Sequence, residues 1–145
     1  MVERRLGYEY TAQGNLLAVL VRIERLNLQA KDTGRPEMAA TISRAIAFME
    51  RHLAEPINLG DMARTARLNE TYFCEAFKQA TGISPGRYLM RLRLEHGRYL
   101  LLSTTEPITY VARQSGFADP SHFARAFKAA FNTSPSRLRR TQESS

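Results

Sequence analysis

The chain of 145 residues is 43% hydrophobic and 24% charged, the proportions of an ordinary folded protein and not of a disordered one. Its net charge is +7 at a sequence pI near 10.1, and residues 81–145 carry ten basic against four acidic side chains, which favours a polyanionic partner. The longest apolar run, Leu16 to Val21, is far short of the ~20 residues of a membrane span, and no secretory-signal order opens the chain. A lone Cys74 excludes an internal disulfide and fits a reducing cytoplasm, while His52, His96 and His122 lack metal-ligand spacing, so neither metal nor cofactor is expected.

Apolar spacing is helical almost throughout. Leu16, Leu17, Leu20, Ile23 and Leu26 form one apolar stripe, followed by a polar linker over residues 29–36 that holds Gly34 and Pro36. Ile42, Ala45, Ile46, Met49 and Leu53 predict the next helix, closed by Pro56. Two short helices follow, over residues 59–66 and 70–80, with Asn69 as the N-cap of the second. Ser84-Pro85 opens a longer helix bearing Tyr88, Leu89, Leu92, Leu100 and Leu101, with Pro107 beyond it. A second short pair is predicted over 109–115 and 120–130, capped by Asp119 with Pro120 at the first helical position. Ser134-Pro135 starts a last short helix, and residues 141–145 are expected to fray.

The two short pairs are copies of one another. Met62-Ala63-Arg64 matches Val111-Ala112-Arg113 at an offset of 49; after the turn the offset becomes 50, pairing Phe73 with Phe123, Phe77-Lys78 with Phe127-Lys128, and Ser84-Pro85 with Ser134-Pro135. Each copy has what a helix-turn-helix needs. A small alanine (Ala63, Ala112) permits close approach, a turn apolar residue (Leu68, Phe117) plugs the angle, and phenylalanines at i and i+4 pin the second helix by one face, leaving the other free.

The stretch Ile108 to Lys128, followed by Thr133-Ser134-Pro135, resembles the signature of the AraC/XylS transcription regulators, and the likeness extends over about residues 38–140. The resemblance implies an all-α fold in which two homeodomain-like helix-turn-helix subdomains, 37–85 and 107–141, are joined by a linker helix at 86–106. It implies recognition helices that enter adjacent major-groove segments of double-stranded DNA, about 34 Å apart on one face. It further implies RNA polymerase as a partner and a small-molecule effector bound by a domain absent from this chain, so that residues 1–36 would close a sensory or dimerising domain of a longer protein. Residues 14–28 are then either a homodimer contact or a helix packed on the DNA-binding module itself.

Side chains opposite the phenylalanine stripes are the expected base readers: Glu70, Thr71, Cys74 and Glu75 in the first copy, and Pro120, Ser121, His122 and Arg125 in the second. Arg125 has the geometry for a bidentate pair on guanine O6 and N7; its alternatives are a phosphate contact or an ion pair with Asp119. Thr71 suits a thymine methyl and Glu75 a cytosine N4, and either also fits a solvated face. Phosphate contacts are expected from Lys78, Arg87, Arg91, Lys128, Arg137 and Arg139. Three departures from the family pattern stand out. Cys74 and Glu75 replace a polar residue and an arginine, Gly97 replaces an alanine, and Asn132 takes a glycine position that asparagine tolerates. The first unit is accordingly expected to read DNA weakly or unusually. A catalytic role finds no support, since no phosphate loop, metal pattern or nucleophile elbow is present, and Cys74 lacks the thiolate cluster of a methyl acceptor.

Overall fold

The structure, a computed structural model, describes residues 36–144. The apolar stripe at 16–26 and the proposed contact at 14–28 lie outside the described residues. Among those described there are seven helices and no strand: α1 (Pro36–Arg51), α2 (Leu59–Thr65), α3 (Glu70–Thr81), α4 (Pro85–Ser103), α5 (Ile108–Gln114), α6 (Pro120–Phe131) and α7 (Pro135–Glu143). No helix among them is long and apolar enough to cross a membrane. The described residues form two compact units that divide between Met90 and Arg91, inside α4.

In the first unit α1 packs on α2 and α3. Ile42, Ala45, Ile46 and Met49 recur at helical spacing and are buried, and Leu53 is buried just past the end of α1. They meet Met62 and Ala63 from α2 and Phe73 and Phe77 from α3 in the same core. Phe77 carries the edge of Tyr88 at a centroid distance of 5.4 Å, which ties the start of α4 to α3. The start of α2 is fixed by a capping box. Asn58 Oδ1 accepts from the Asp61 N–H at 2.9 Å, and Asp61 Oδ2 accepts from the Asn58 N–H at 3.0 Å. That backbone donor, together with Arg64, holds the Asp61 carboxyl below the usual carboxylate range.

In the second unit α5 and α6 pack together, and α7 packs on α6. Val111, Ala112, Phe117, Phe123, Phe127 and Leu101 are buried there, and the rings run in a chain from Phe117 through Phe123 and Phe127 to Phe131 at centroid distances of 5.2, 5.5 and 4.7 Å. The Arg98 guanidinium lies over Phe131, 5.2 Å from its centroid. Buried Ser115 donates to the Val111 carbonyl at 2.7 Å, so its hydroxyl is satisfied inside the helix end.

The caps fall where the side chains permit. Asn69 accepts from the Tyr72 N–H at 2.8 Å, Asp119 from the Ser121 N–H at 2.9 Å, and Ser134 from the Arg137 N–H at 3.2 Å. Helices α3 and α6 both end on a left-handed residue, Gly82 (φ 85°) and Asn132 (φ 59°), 50 positions apart. Helix α7 continues past residue 141 to Glu143, and Thr141 donates its hydroxyl to the Arg137 carbonyl at 2.9 Å within it.

Candidate nucleic-acid interface

Burial of Phe73 and Phe77 turns the opposite face of α3 to solvent. Thr71, Glu75 and Lys78 sit at i, i+4 and i+7, share one stripe and are exposed; Cys74 beside them is half-buried. Helix α6 repeats the arrangement. Phe123 and Phe127 are buried, and Ser121, Arg125 and Lys128 form the exposed stripe, with Pro120 and His122 also exposed at its start. Both stripes lie on helices of 12 residues, long enough to present about three turns.

Two of the expected readers have local partners. The Glu70 carboxylate leans over the first turn of α2, where its Oε1 would lie 3.0 Å from a Cβ placed on Gly60. A negative charge there complements the N-terminal end of α2. The His122 ring stands edge-on to Phe117 at 5.3 Å and 78°, so the turn residue that plugs the second unit also braces this ring. No ion pair joins Arg125 to Asp119 among the described residues, and Asp119 instead caps α6.

Of the expected phosphate contacts, Lys78, Arg87, Arg91, Lys128 and Arg137 are exposed. Arg137 lies with Arg140, Thr141 and Ser144 along one open groove on α7. Arg139 differs from the expectation. Its guanidinium is half-buried and donates to three backbone carbonyls, Leu101 at 3.5 Å, Thr104 at 3.3 Å and Glu106, so it closes the segment after α4 against α7. An arginine fork matches such a cluster of acceptors at the open end of a helix.

Two exposed residues of these helices escaped the sequence reading. Tyr72 on α3 is 47% exposed and Tyr110 on α5 is 43% exposed. The internal repeat held the signal for the first, because an offset of 50 sets Tyr72 on His122. Among the described residues no three His, Cys, Asp or Glu side chains converge as a metal site, and the chemistry of both stripes is that of hydrogen-bond donors, acceptors and fixed charges.

A family model described as a helix-turn-helix domain matches residues 62–141. The HTH-type transcriptional activator RhaS of Enterobacter sp. (strain 638) is 36% identical over 106 residues, which is 73% of this chain and 38% of that protein. The chain therefore spans well under half the length of this curated relative. The C-terminal domain of AraT, a response regulator from Geobacillus stearothermophilus, superposes with a TM-score of 0.67 at 32% identity, covering 70% of this chain and 84% of that one. A transcriptional regulator from Chromobacterium violaceum, described among AraC-type DNA-binding domain-containing proteins, gives 0.67 at 28% identity, covering 71% and 92%.

Proposed function

We propose, from the premise that this chain belongs to the AraC-type helix-turn-helix family, that it is a sequence-specific DNA-binding module of a transcription regulator, laying α3 and α6 into adjacent major-groove segments. The observation that carries the reading is the duplicated stripe. Thr71, Glu75 and Lys78 on one helix and Ser121, Arg125 and Lys128 on the other are exposed, while the phenylalanines beneath them are buried. A helix anchored by one face and polar on the other is what major-groove entry requires.

In this reading Arg125 contacts guanine, Ser121, His122 and Pro120 line the second reading head, and Thr71, Cys74, Glu75 and Glu70 line the first. Lys78, Arg87, Arg91, Lys128 and Arg137 supply phosphate contacts, which fix register and provide most of the non-specific affinity. Arg139 is reassigned from phosphate contact to positioning α7, on the strength of its three carbonyl partners. RNA polymerase is the protein partner class that the activator relative suggests. Effector binding and pairing with a second copy through residues 14–28 belong, in the same proposal, to parts of the protein outside residues 36–144. The working compartment is the cytoplasm, at the nucleoid.

Selection of bound duplexes from a randomised pool by the whole chain tests this. The expected product is a consensus of two blocks with centres about 10–10.5 base pairs apart. Recovery of duplexes with no enriched sequence at any salt concentration overturns the proposal.

A further inference from the structure

The recognition helices are copies, and the copy inverts one charge. With Phe73 set on Phe123 and Phe77 on Phe127, Thr71 falls on Ser121, Tyr72 on His122 and Lys78 on Lys128. A hydroxyl, a polar aromatic ring and an ammonium thus recur at matched places. At the centre of the stripe, however, Glu75 falls on Arg125. All eight of these side chains are exposed, and no ion pair engages Glu75 among the described residues. The imbalance extends beyond one pair: residues 37–80 carry five basic and six acidic side chains, whereas residues 81–145 carry ten and four.

We infer that Glu75 determines specificity by exclusion, so that the second unit anchors the chain on any duplex and the first unit settles only where a base offers an amino group to this carboxylate. An ionised carboxylate accepts hydrogen bonds and donates none. In the major groove cytosine N4 and adenine N6 are donors, whereas guanine O6 and N7 and thymine O4 are acceptors. Opposite cytosine, Glu75 is paired. Every base pair offers one amino group, so the orientation of the pair decides: where Glu75 faces guanine or thymine the amino group lies on the far base, and the carboxylate loses water against acceptors in the field of the flanking phosphates. The guanidinium of Arg125, at the matched position, is attracted by that same field on every sequence and gains further on guanine. Discrimination built on a repulsive element needs an attractive one elsewhere to hold the complex together, and the basic excess of the second unit supplies it. The inference rests on the DNA-binding reading above.

The test uses the whole chain with E75Q, E75R and R125A variants, and three probes: the duplex selected by the parent chain, its single-base-pair variants, and an unselected mixed-sequence duplex. Because Glu75 is exposed, the variants should retain the parent's helical circular dichroism. Removing the carboxylate is expected to tighten binding to the unselected duplex, by on the order of tenfold for E75R. It should also erase a preference of about fivefold or more at one base-pair position, while the preferences set by the second unit survive. E75Q and E75R chains that bind the unselected duplex no tighter, with an unchanged variant profile while R125A still alters its own position, overturn the exclusion role and leave DNA binding intact. A parent chain that enriches no duplex at all overturns the DNA-binding reading and this inference with it.

Discussion

A Cβ added to Gly97 would lie 2.7 Å from Cε2 and 2.8 Å from Cζ of Phe123, closer than real Cβ atoms approach a neighbour. Glycine in mid-helix costs about 1 kcal/mol of propensity against alanine, so its place in α4 has to be explained by something larger. The ring is the explanation. Phe123 is fully buried between Phe117 and Phe127, and the Ser115 hydroxyl, itself bonded to Val111, lies 3.0 Å from the same added atom. Nothing nearby yields cheaply. Overpacking of this kind costs roughly 1–3 kcal/mol or more, which exceeds the propensity gain. Gly97→Ala is therefore expected to lower Tm by several degrees, and pairing it with Phe123→Leu should restore part of the loss. A single substitution that raised Tm in thermal unfolding would show that α4 does not sit this close to the ring.

The turn of the first unit holds Arg67 at φ 57°, where the second unit has Gly116 at φ 85°, 49 positions on. A left-handed residue with a Cβ costs roughly 1–2 kcal/mol, and glycine relieves it at the expense of about 0.5–1 kcal/mol of unfolded-state entropy. The Arg67 side chain is exposed, so little packing is lost. Arg67→Gly is expected to stabilise the first unit by about 0.5–1 kcal/mol, read as a higher urea midpoint at unchanged m-value. A lower midpoint would mean that the arginine makes contacts worth more than the strain.

Arg139 offers a different kind of test, because its three acceptors are main-chain carbonyls 33 to 38 residues away. Charge alone does not satisfy them; the planar fork does. Arg139→Lys and Arg139→Ala are both expected to destabilise the second unit, by about 1–3 kcal/mol for alanine. Neither should reduce the salt dependence of DNA binding as loss of a phosphate contact would. A salt slope lowered by about 0.9 in Arg139→Ala, with unfolding unchanged, would return this residue to the phosphate contacts.

These residues also mark how far the amino-acid pattern carries. The short helices and their caps follow from side chains that act within three positions: Asn69, Asp119 and Ser134 each accept from a nearby N–H, and the phenylalanine pairs repeat at i, i+4. The exposed stripes follow from the same periodicity, and the left-handed Asn132 from the glycine position it takes in the family pattern. What escapes is whatever depends on distant partners or on strain. Arg139 reads as one more basic residue until its carbonyls are in place. The closeness of the Glu70 carboxylate to the first turn of α2 is likewise invisible until the two helices are placed. Arg67 itself gives no sign of a positive φ, which only its repeat partner Gly116 marks, and the propensity deficit of Gly97 is visible without the ring that justifies it.

Arg125 and Arg137 should separate the two components of DNA affinity. Arg125 sits at the centre of the α6 stripe and is not paired with Asp119, whereas Arg137 lies on α7 beside Arg140. Arg125→Ala is expected to flatten preference at one base pair by about 1–3 kcal/mol. Arg137→Ala should weaken all duplexes alike and lower the salt slope by about 0.9. If both variants lose affinity uniformly across a set of operator variants, Arg125 is a backbone contact and reads no base.

Acid and neutral stability should be governed by groups that pull in opposite directions. Burial pushes the half-buried Glu50 carboxyl above its ordinary 4.5, and its Oε1 is buried without a hydrogen-bond partner among the described residues. As pH rises past 4.5 the unfolded chain ionises there before the folded one does, so folding is disfavoured progressively until pH exceeds the raised folded value. Asp61 has the reverse sign. Its carboxyl is held below 3.8 by the Asn58 N–H and by Arg64, so its contribution is present above that value and lost as pH falls through the folded one. His96 is pushed below 6.5 by burial, and the unfolded chain takes up its proton first, so stability also declines as pH falls from 6.5. Glu50→Gln isolates the first effect. The variant is expected to melt higher than the parent at neutral pH, by a margin that shrinks towards zero as pH is lowered to 4.5 and below. A margin constant with pH would assign the gain to packing, and a lower Tm at neutral pH would mean that the ionised carboxylate is stabilised where it stands.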